Sequence, residues 1–330
     1  MNGISVIICC YNSGKRIGET LGHLQKQNFN ISTAWEVIIV DNASTDDTTQ
    51  TAYKIWKTNP VTELNVFKEE KPGLMEARKK GLIEAKYEIV AFIDDDNWIE
   101  HDWLQKVFEV FSMDPKIGAC GGKSEAIFEK EKPFWFEDNQ SSFAVGHQAD
   151  QSGMIDDKKG FLWGAGLSIR KQIWEDLQRI GFQNLTLGRE GKKITAGEDT
   201  ELCYAIRLLG YNLYYRHDLS LRHYMPDIRM KISYLIKLSE GFGKAYAKLN
   251  CYRVLLGRKK FKLHAWWYEW LVARKNIIKF YFKEIIARDD KKKIKFKTIK
   301  AYNKGYAIQV WVDKTTTKEN VEILKNIFKH

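Results

Sequence analysis

The sequence predicts an α/β domain with a mostly parallel, doubly wound sheet and a helical C-terminal extension. Three observations carry that prediction. Apolar runs without alternation recur near the start of the chain, as in strands buried on both faces. Amphipathic helix patterns separate them, giving strand–helix–strand order. After about residue 226 the strand signals stop, and the chain turns helical and rich in Trp, Tyr and Lys.

The elements follow in order. Ile4-Ser5-Val6-Ile7-Ile8-Cys9-Cys10 is the first apolar run, Trp35 to Val40 the second and Glu88 to Ile93 the third. Leu64 to Phe67 is a weaker strand signal. A helix over 14–27 places Ile17, Leu21 and Leu24 on one face. Another over 44–57 opens with Ser44-Thr45-Asp46-Asp47, residues that cap helices, and carries Ala52, Ile55 and Trp56. Helices over 73–86 and 101–113 follow. Further strands are expected at 117–127, 164–170 and 212–222, with a long loop system over 128–160. In that loop Phe134, Trp135, Phe136 and Phe143 either stack on a ligand or cover the sheet. The expected division is an α/β domain over 1–225 and a basic helical extension over 226–330.

Composition narrows the class. The 330 residues are 44% hydrophobic and 29% charged with five prolines, which excludes a disordered or collagen-like chain. Five cysteines without a Cys-x-x-Cys pair suggest neither a disulfide framework nor zinc, and fit a reducing cytoplasm. The start Met1-Asn2-Gly3 lacks a basic leader region, and no run of eighteen apolar residues occurs. The net charge is +11, yet residues 251–300 alone hold sixteen Lys or Arg against four Asp or Glu. A segment so basic expects an anionic partner.

Ligands of doubly wound sheets bind beyond the carboxyl ends of the strands, which directs attention to the loops there. Asp94-Asp95-Asp96 follows a buried strand directly. Three adjacent carboxylates repel, and a divalent cation relieves that repulsion; oxygen ligands select Mg²⁺ or Mn²⁺. The alternative is a solvated acidic loop. Asp41 ends the second strand and either caps a helix or accepts from a nucleobase edge. Glu198 and Asp199 open a helix, where acids complement the dipole or serve as a general base. His223 ends a strand; it completes a Mn²⁺ site only if that end approaches Asp96. Arg78 is a surface charge or a contact to phosphate or base. No Gly-x-Gly-x-x-Gly or Walker motif occurs.

These motifs, in this order, resemble the family 2 glycosyltransferases of GT-A (Rossmann-like) fold. Cys10-Tyr11-Asn12 resembles the family's Thr-Tyr-Asn, and Val40-Asp41-Asn42-Ala43-Ser44-Thr45-Asp46 its Val-Asp-Asp/Asn-x-Ser-x-Asp. Gly73 to Gly81 is similar to Gly-x-x-x-Ala-Arg-Asn-x-Gly, and Asp94 to Asp96 to Asp-x-Asp. Trp163-Gly164-Ala165-Gly166 with Arg170 resembles the acceptor-side strand, and Gly197 to Leu202 the Glu-Asp helix start. The resemblance covers residues 3 to about 225. It departs at Cys10, at Lys79-Lys80 and at Ala205, where the family often carries Arg; Arg207 lies two further on.

The resemblance implies donor contacts from Cys10, Tyr11, Asn12, Asp41, Arg78, Asp94 and Asp95. It implies a Mn²⁺ or Mg²⁺ site at Asp96 and His223, acceptor-side contacts from Trp163, Gly164, Ala165 and Glu198, and Asp199 as general base. The expected function is inverting, metal-dependent transfer from a nucleotide sugar, UDP-linked, to a glycan or lipid-linked glycan in cell-surface polysaccharide synthesis. The rivals are a sugar nucleotidyltransferase, which needs a Gly-rich loop that Ser13-Gly14-Lys15-Arg16 matches poorly, and a non-catalytic membrane- or anion-binding protein. On a helix over 264–287, Trp267, Trp270, Leu271, Ile277, Ile278, Tyr281, Phe282 and Ile285 form an apolar face. Glu269, Lys275, Lys279 and Lys283 lie mainly opposite, a pattern that fits an anionic membrane surface or a packed core helix. No nucleic-acid partner is expected, and the location expected is cytoplasmic, peripheral on the inner membrane face.

Overall fold

A computed structural model describes residues 2–28, 34–157, 159–186, 196–258 and 265–329. Packing groups the chain into two units. The first holds Met1–Ile127, Ala144–Arg179 and Leu209–Tyr224; the second holds Phe128–Phe143, Ile180–Leu208 and Met225–His330.

The apolar runs of the first unit become β1 (Gly3–Cys10), β2 (Ala34–Asn42), β3 (Glu63–Glu69) and β4 (Ile89–Phe92). They pair in parallel in the order β3-β2-β1-β4. Ile4, Val6, Ile8, Val37 and Ile39 are wholly buried, as near-continuous apolar strands require. Beyond β4 the sheet turns mixed. β5 (Asn97–Ile99), β6 (Ile117–Phe128), β7 (Gly153–Met154), β8 (Ser168–Arg170) and β9 (Asn212–Met225) extend it in the order β4-β8-β6-β9-β5, with β7 on β9. β8 is antiparallel to β4, and β5 to β9.

Helices α1 (Ile17–Leu24), α2 (Thr48–Trp56), α3 (Leu74–Glu84), α4 (Trp103–Met113) and α5 (Lys171–Arg179) complete the unit. Their inward residues Ile17, Leu21, Leu24, Ala52, Leu104 and Val107 are fully buried. α2 begins four residues later than expected. Asp46 accepts from the Thr48 amide and hydroxyl, so Ser44 to Asp47 form a loop before the helix.

The strand expected over 164–170 is cut to its last three residues. Gly164 to Gly166 form a turn, closed by the Leu167 amide donating to the Gly164 carbonyl at 3.1 Å. Gly166 has φ 71°, and a Cβ there would stand 2.7 Å from Leu221 Cδ2. Only glycine meets both demands.

The second unit holds α6 (Glu198–Leu208), α7 (Ile232–Lys248), α8 (Asn250–Leu255), α9 (Ala265–Ile286), α10 (Asp290–Val312) and α11 (Thr316–Ile327). Its packing groups the chain differently from a cut at residue 225. Trp135, Phe136 and Phe143 are buried, and Phe143 stacks on Tyr234 of α7 with centroids 6.2 Å apart. These rings cover a core rather than meet a ligand; Phe134 alone of the four is exposed. α7 and α10 approach at two glycines. A Cβ on Gly243 would meet the Tyr302 carbonyl oxygen at 2.0 Å, and one on Gly305 the Glu240 carbonyl oxygen at 2.0 Å.

Candidate active site

The parallel strands of the first unit end at one edge, and their loops tie together. Register places Cys10 beside Asp41. Asp41 is buried; its Oδ1 accepts from the Ser44 amide at 3.1 Å and its Oδ2 from the Thr49 hydroxyl at 2.8 Å. Asn12 sits in the left-handed region at φ 51°, which Asn tolerates better than most residues. Its amide donates to the Ser44 hydroxyl at 3.0 Å, and its side-chain oxygen accepts from the Thr45 amide at 2.8 Å. The loops after β1 and β2 are therefore one hydrogen-bonded piece. Tyr11 stands on it with its ring half exposed. The Cys10 side chain is buried in the hydrophobic core.

The triple-aspartate segment follows β4, and its members have different surroundings. Asp95 Oδ2 accepts from the Ser13 hydroxyl and from Arg16 Nη2, the latter at 2.6 Å. Burial pushes the Asp95 carboxyl up, with the Asp96 charge adding; Arg16 and Ser13 oppose it. Asp95 thus locks the loop after β1 to the loop after β4. Asp96 is buried, and its Oδ1 accepts from Asn97 Nδ2 at 3.1 Å. His223 pairs with Asn97 across β5 and β9, which brings its Nε2 to 3.4 Å from Asp96 Oδ1. The strand end does approach Asp96. The Tyr224 amide donates to the Asp96 carbonyl at 2.9 Å and fixes this geometry. His223 Nδ1 is buried without a hydrogen-bond partner among the described residues. A carboxylate suits Mn²⁺ or Mg²⁺, and an imidazole can complete a Mn²⁺ site. Among the described residues no three His, Cys, Asp or Glu side chains gather in a way that could hold a metal ion. Asp94 is half-buried.

Arg78 in α3 is buried with its guanidinium 5.1 Å from the Phe92 ring centre. Arg78, Asp94 and Asp95 all act on Cys9, whose thiol burial pushes up to about 12. Asn42 fixes the start of α3 by accepting from the Gly73 amide at 2.7 Å. Trp163 is half-buried, its amide donating to Gln148 Oε1 at 2.8 Å and its ring 5.4 Å from Lys159 Nζ. Burial lowers Lys159 to about 8. Gly164 and Ala165 are buried, Ala165 in the hydrophobic core. Arg170 donates to the carbonyls of Phe111, Asp114 and Ile117, which makes it a tie within the fold.

In the second unit Glu198 and Asp199 form the first turn of α6, Glu198 buried and Asp199 half-buried. Their helix start is anchored by Glu201. That buried carboxylate accepts from the amides of Leu185 and Thr186 at 2.7 and 2.8 Å, and from the Tyr252 hydroxyl at 2.6 Å. Sequence reasoning missed Glu201 and Tyr252, along with Ser13, Arg16 and Thr49. A signal lay in Ser13-Gly14-Lys15-Arg16, whose polar ends grip Asp95.

Residues 5–177 match the Glycosyl transferase family 2 pattern. The chain belongs to that family. The GT-A fold expectation is met by its structural likenesses. A mannosyltransferase from Pyrobaculum calidifontis, solved with GDP-Man and Mn²⁺, superposes with TM-score 0.64 at 19% identity, covering 95% of this chain and 88% of that one. TarS 1–349 of Staphylococcus aureus, also solved with UDP-GlcNAc, superposes at 0.52 and 18% identity, covering 92% and 90%. In sequence, the poly-beta-1,6-N-acetyl-D-glucosamine synthase of Staphylococcus aureus is 30% identical over 122 residues, 37% of this chain. That stretch is only 28% of the synthase. A glucosyl-dolichyl phosphate glucuronosyltransferase from Haloferax volcanii is 22% identical over 248 residues, 74% of this chain and 76% of its own.

Proposed function

We propose that this glycosyltransferase moves a sugar, with inversion, from a UDP-linked donor to a hydroxyl of a glycan or lipid-linked glycan in cell-surface polysaccharide synthesis. What carries the reading is the Asp96–His223 pair at the carboxyl edge of the sheet. Relatives named as a poly-N-acetylglucosamine synthase and a dolichyl phosphate glucuronosyltransferase support the acceptor class.

Each residue then has a task. Tyr11 lies under the nucleobase, and Asp41, held by Ser44 and Thr49, accepts from its edge. Asp94 orients the ribose, while Asp95 keeps the two loops in register. Arg78 answers negative charge on the donor. Asp96 and His223 would hold Mn²⁺ or Mg²⁺, which bound there stabilises charge developing on the diphosphate leaving group. Trp163 and Glu198 serve the acceptor. Asp199 takes the proton from the acceptor hydroxyl as it attacks the anomeric carbon. One displacement with one base inverts that centre, and no second nucleophile is required.

The test is melting temperature with UDP, GDP and dTDP, each with and without Mn²⁺. Stabilisation of a few kelvin by UDP, dependent on Mn²⁺, is the expected result. Stabilisation by GDP alone would reassign the donor, and no shift with any nucleotide would sink the site.

A further inference from the structure

Helix α9 turns an apolar face to solvent where a surface helix ordinarily shows charge. Leu271, Ile278 and Phe282 form its outer ridge, 48%, 59% and 60% exposed. Trp267 and Ile285 flank the ridge, 49% and 61% exposed. Ala273, on the opposite side, is buried. The face differs from the one expected in sequence: Trp270 and Ile277 are half-buried, and Tyr268, Val272 and Ile286 are exposed instead. Exposed Lys275, Lys279 and Lys283 stand among these apolar groups and form no ion pair among the described residues. Trp311 of α10, half exposed, lies 5.6 and 5.8 Å from the rings of Trp266 and Trp270. Indoles gathered near one end of such a helix suit a boundary that is apolar on one side and wet on the other.

We propose that this face of α9 seats the protein on an anionic phospholipid bilayer, with Leu271, Ile278 and Phe282 at the acyl boundary and Lys275, Lys279 and Lys283 among the lipid phosphates. Charge decides the occupant. A second copy docked through the same face would set lysines against lysines. The helix's two carboxylates cannot relieve that. Glu269 accepts from Tyr306, and Glu284 is paired with Lys297 and Lys300. Anionic headgroups pair with those lysines, while the aliphatic ridge needs hydrocarbon. Among the described residues no helix is long and apolar enough to cross a membrane, so α9 lies in the interface plane. The inference needs only α9 and stands apart from the transfer reaction.

The full chain is sedimented with vesicles of phosphatidylcholine, with and without phosphatidylglycerol, at low and high salt. Expected is binding that requires phosphatidylglycerol, weakens with salt, and brings Trp emission to the blue with quenching by brominated chains. Ile278→Asp with Phe282→Asp should cut partition at least about tenfold at unchanged melting temperature. Lys275→Glu with Lys279→Glu and Lys283→Glu should do the same. Equal partition into neutral vesicles, or undiminished binding by the Ile278→Asp/Phe282→Asp protein, overturns the proposal. So does a micromolar dimer in sedimentation equilibrium that those substitutions dissolve, which would assign the face to a second copy.

Discussion

Asp96 and His223 are 127 positions apart in the chain, yet one β-ladder sets their side chains 3.4 Å from each other. Asp96→Asn keeps size and the hydrogen bond from Asn97 but removes the charge. It should lower turnover at least about 100-fold and abolish Mn²⁺-dependent stabilisation by nucleotide. Asp199→Asn should lower turnover as far and leave that stabilisation intact; strong turnover by this variant would refute the base assignment. Lys159 gives a pH prediction. Its ammonium is lowered from the ordinary 10.5 to about 8 by burial. Across that window the unfolded chain holds a proton that the folded chain has released, so stability rises with pH. Below about 8 both states are protonated and the penalty is complete. Denaturant unfolding across the window should show this rise, and Lys159→Met should flatten it.

At the scale of elements, the contact of α7 with α10 depends on two absent side chains. Alanine is the better helix former by about 1 kcal/mol. Gly305→Ala nevertheless puts a methyl group 2.0 Å from the Glu240 carbonyl oxygen, an atom that cannot swing aside. Overpacking of about 1–3 kcal/mol should win, so melting temperature falls. An unchanged or raised melting temperature would mean that the two helices separate at little cost. The start of α6 is held in a comparable way, by Glu201 gathering Leu185, Thr186 and Tyr252. That carboxylate looks in sequence like one more acid of a first helical turn. Its burial and its partners make it an anchor, and the side chains named for chemistry, Glu198 and Asp199, ride on the turn it holds.

For the whole molecule, the second unit is assembled from three separate stretches of chain. Deleting 226–330 removes Tyr234 from Phe143 and Tyr252 from Glu201. The truncated chain 1–225 should expose Trp135, Phe136 and Phe143, bind a hydrophobic dye and aggregate, rather than persist as a catalytic domain. A soluble 1–225 fragment with a sharp melting transition and no dye binding would contradict this.

The sequence by itself determined the parallel strands, because Ile4, Val6, Ile7 and Ile8, like Val37 to Val40, put apolar side chains on both faces of the strand and so demand burial on both. It also determined which carboxylates follow those strands, since adjacency along the chain carries that information. It misjudged the turn at Gly164 to Gly166, where φ and packing depend on neighbours far along the chain. Only the tertiary structure decided that His223 meets Asp96, that Arg16 and Ser13 grip Asp95, and that Trp270 turns in while Phe282 turns out. Local pattern fixes an element and its apolar positions. Which of those positions face a partner, and which carboxylate meets His223, follows from long-range pairing that no short window of residues encodes.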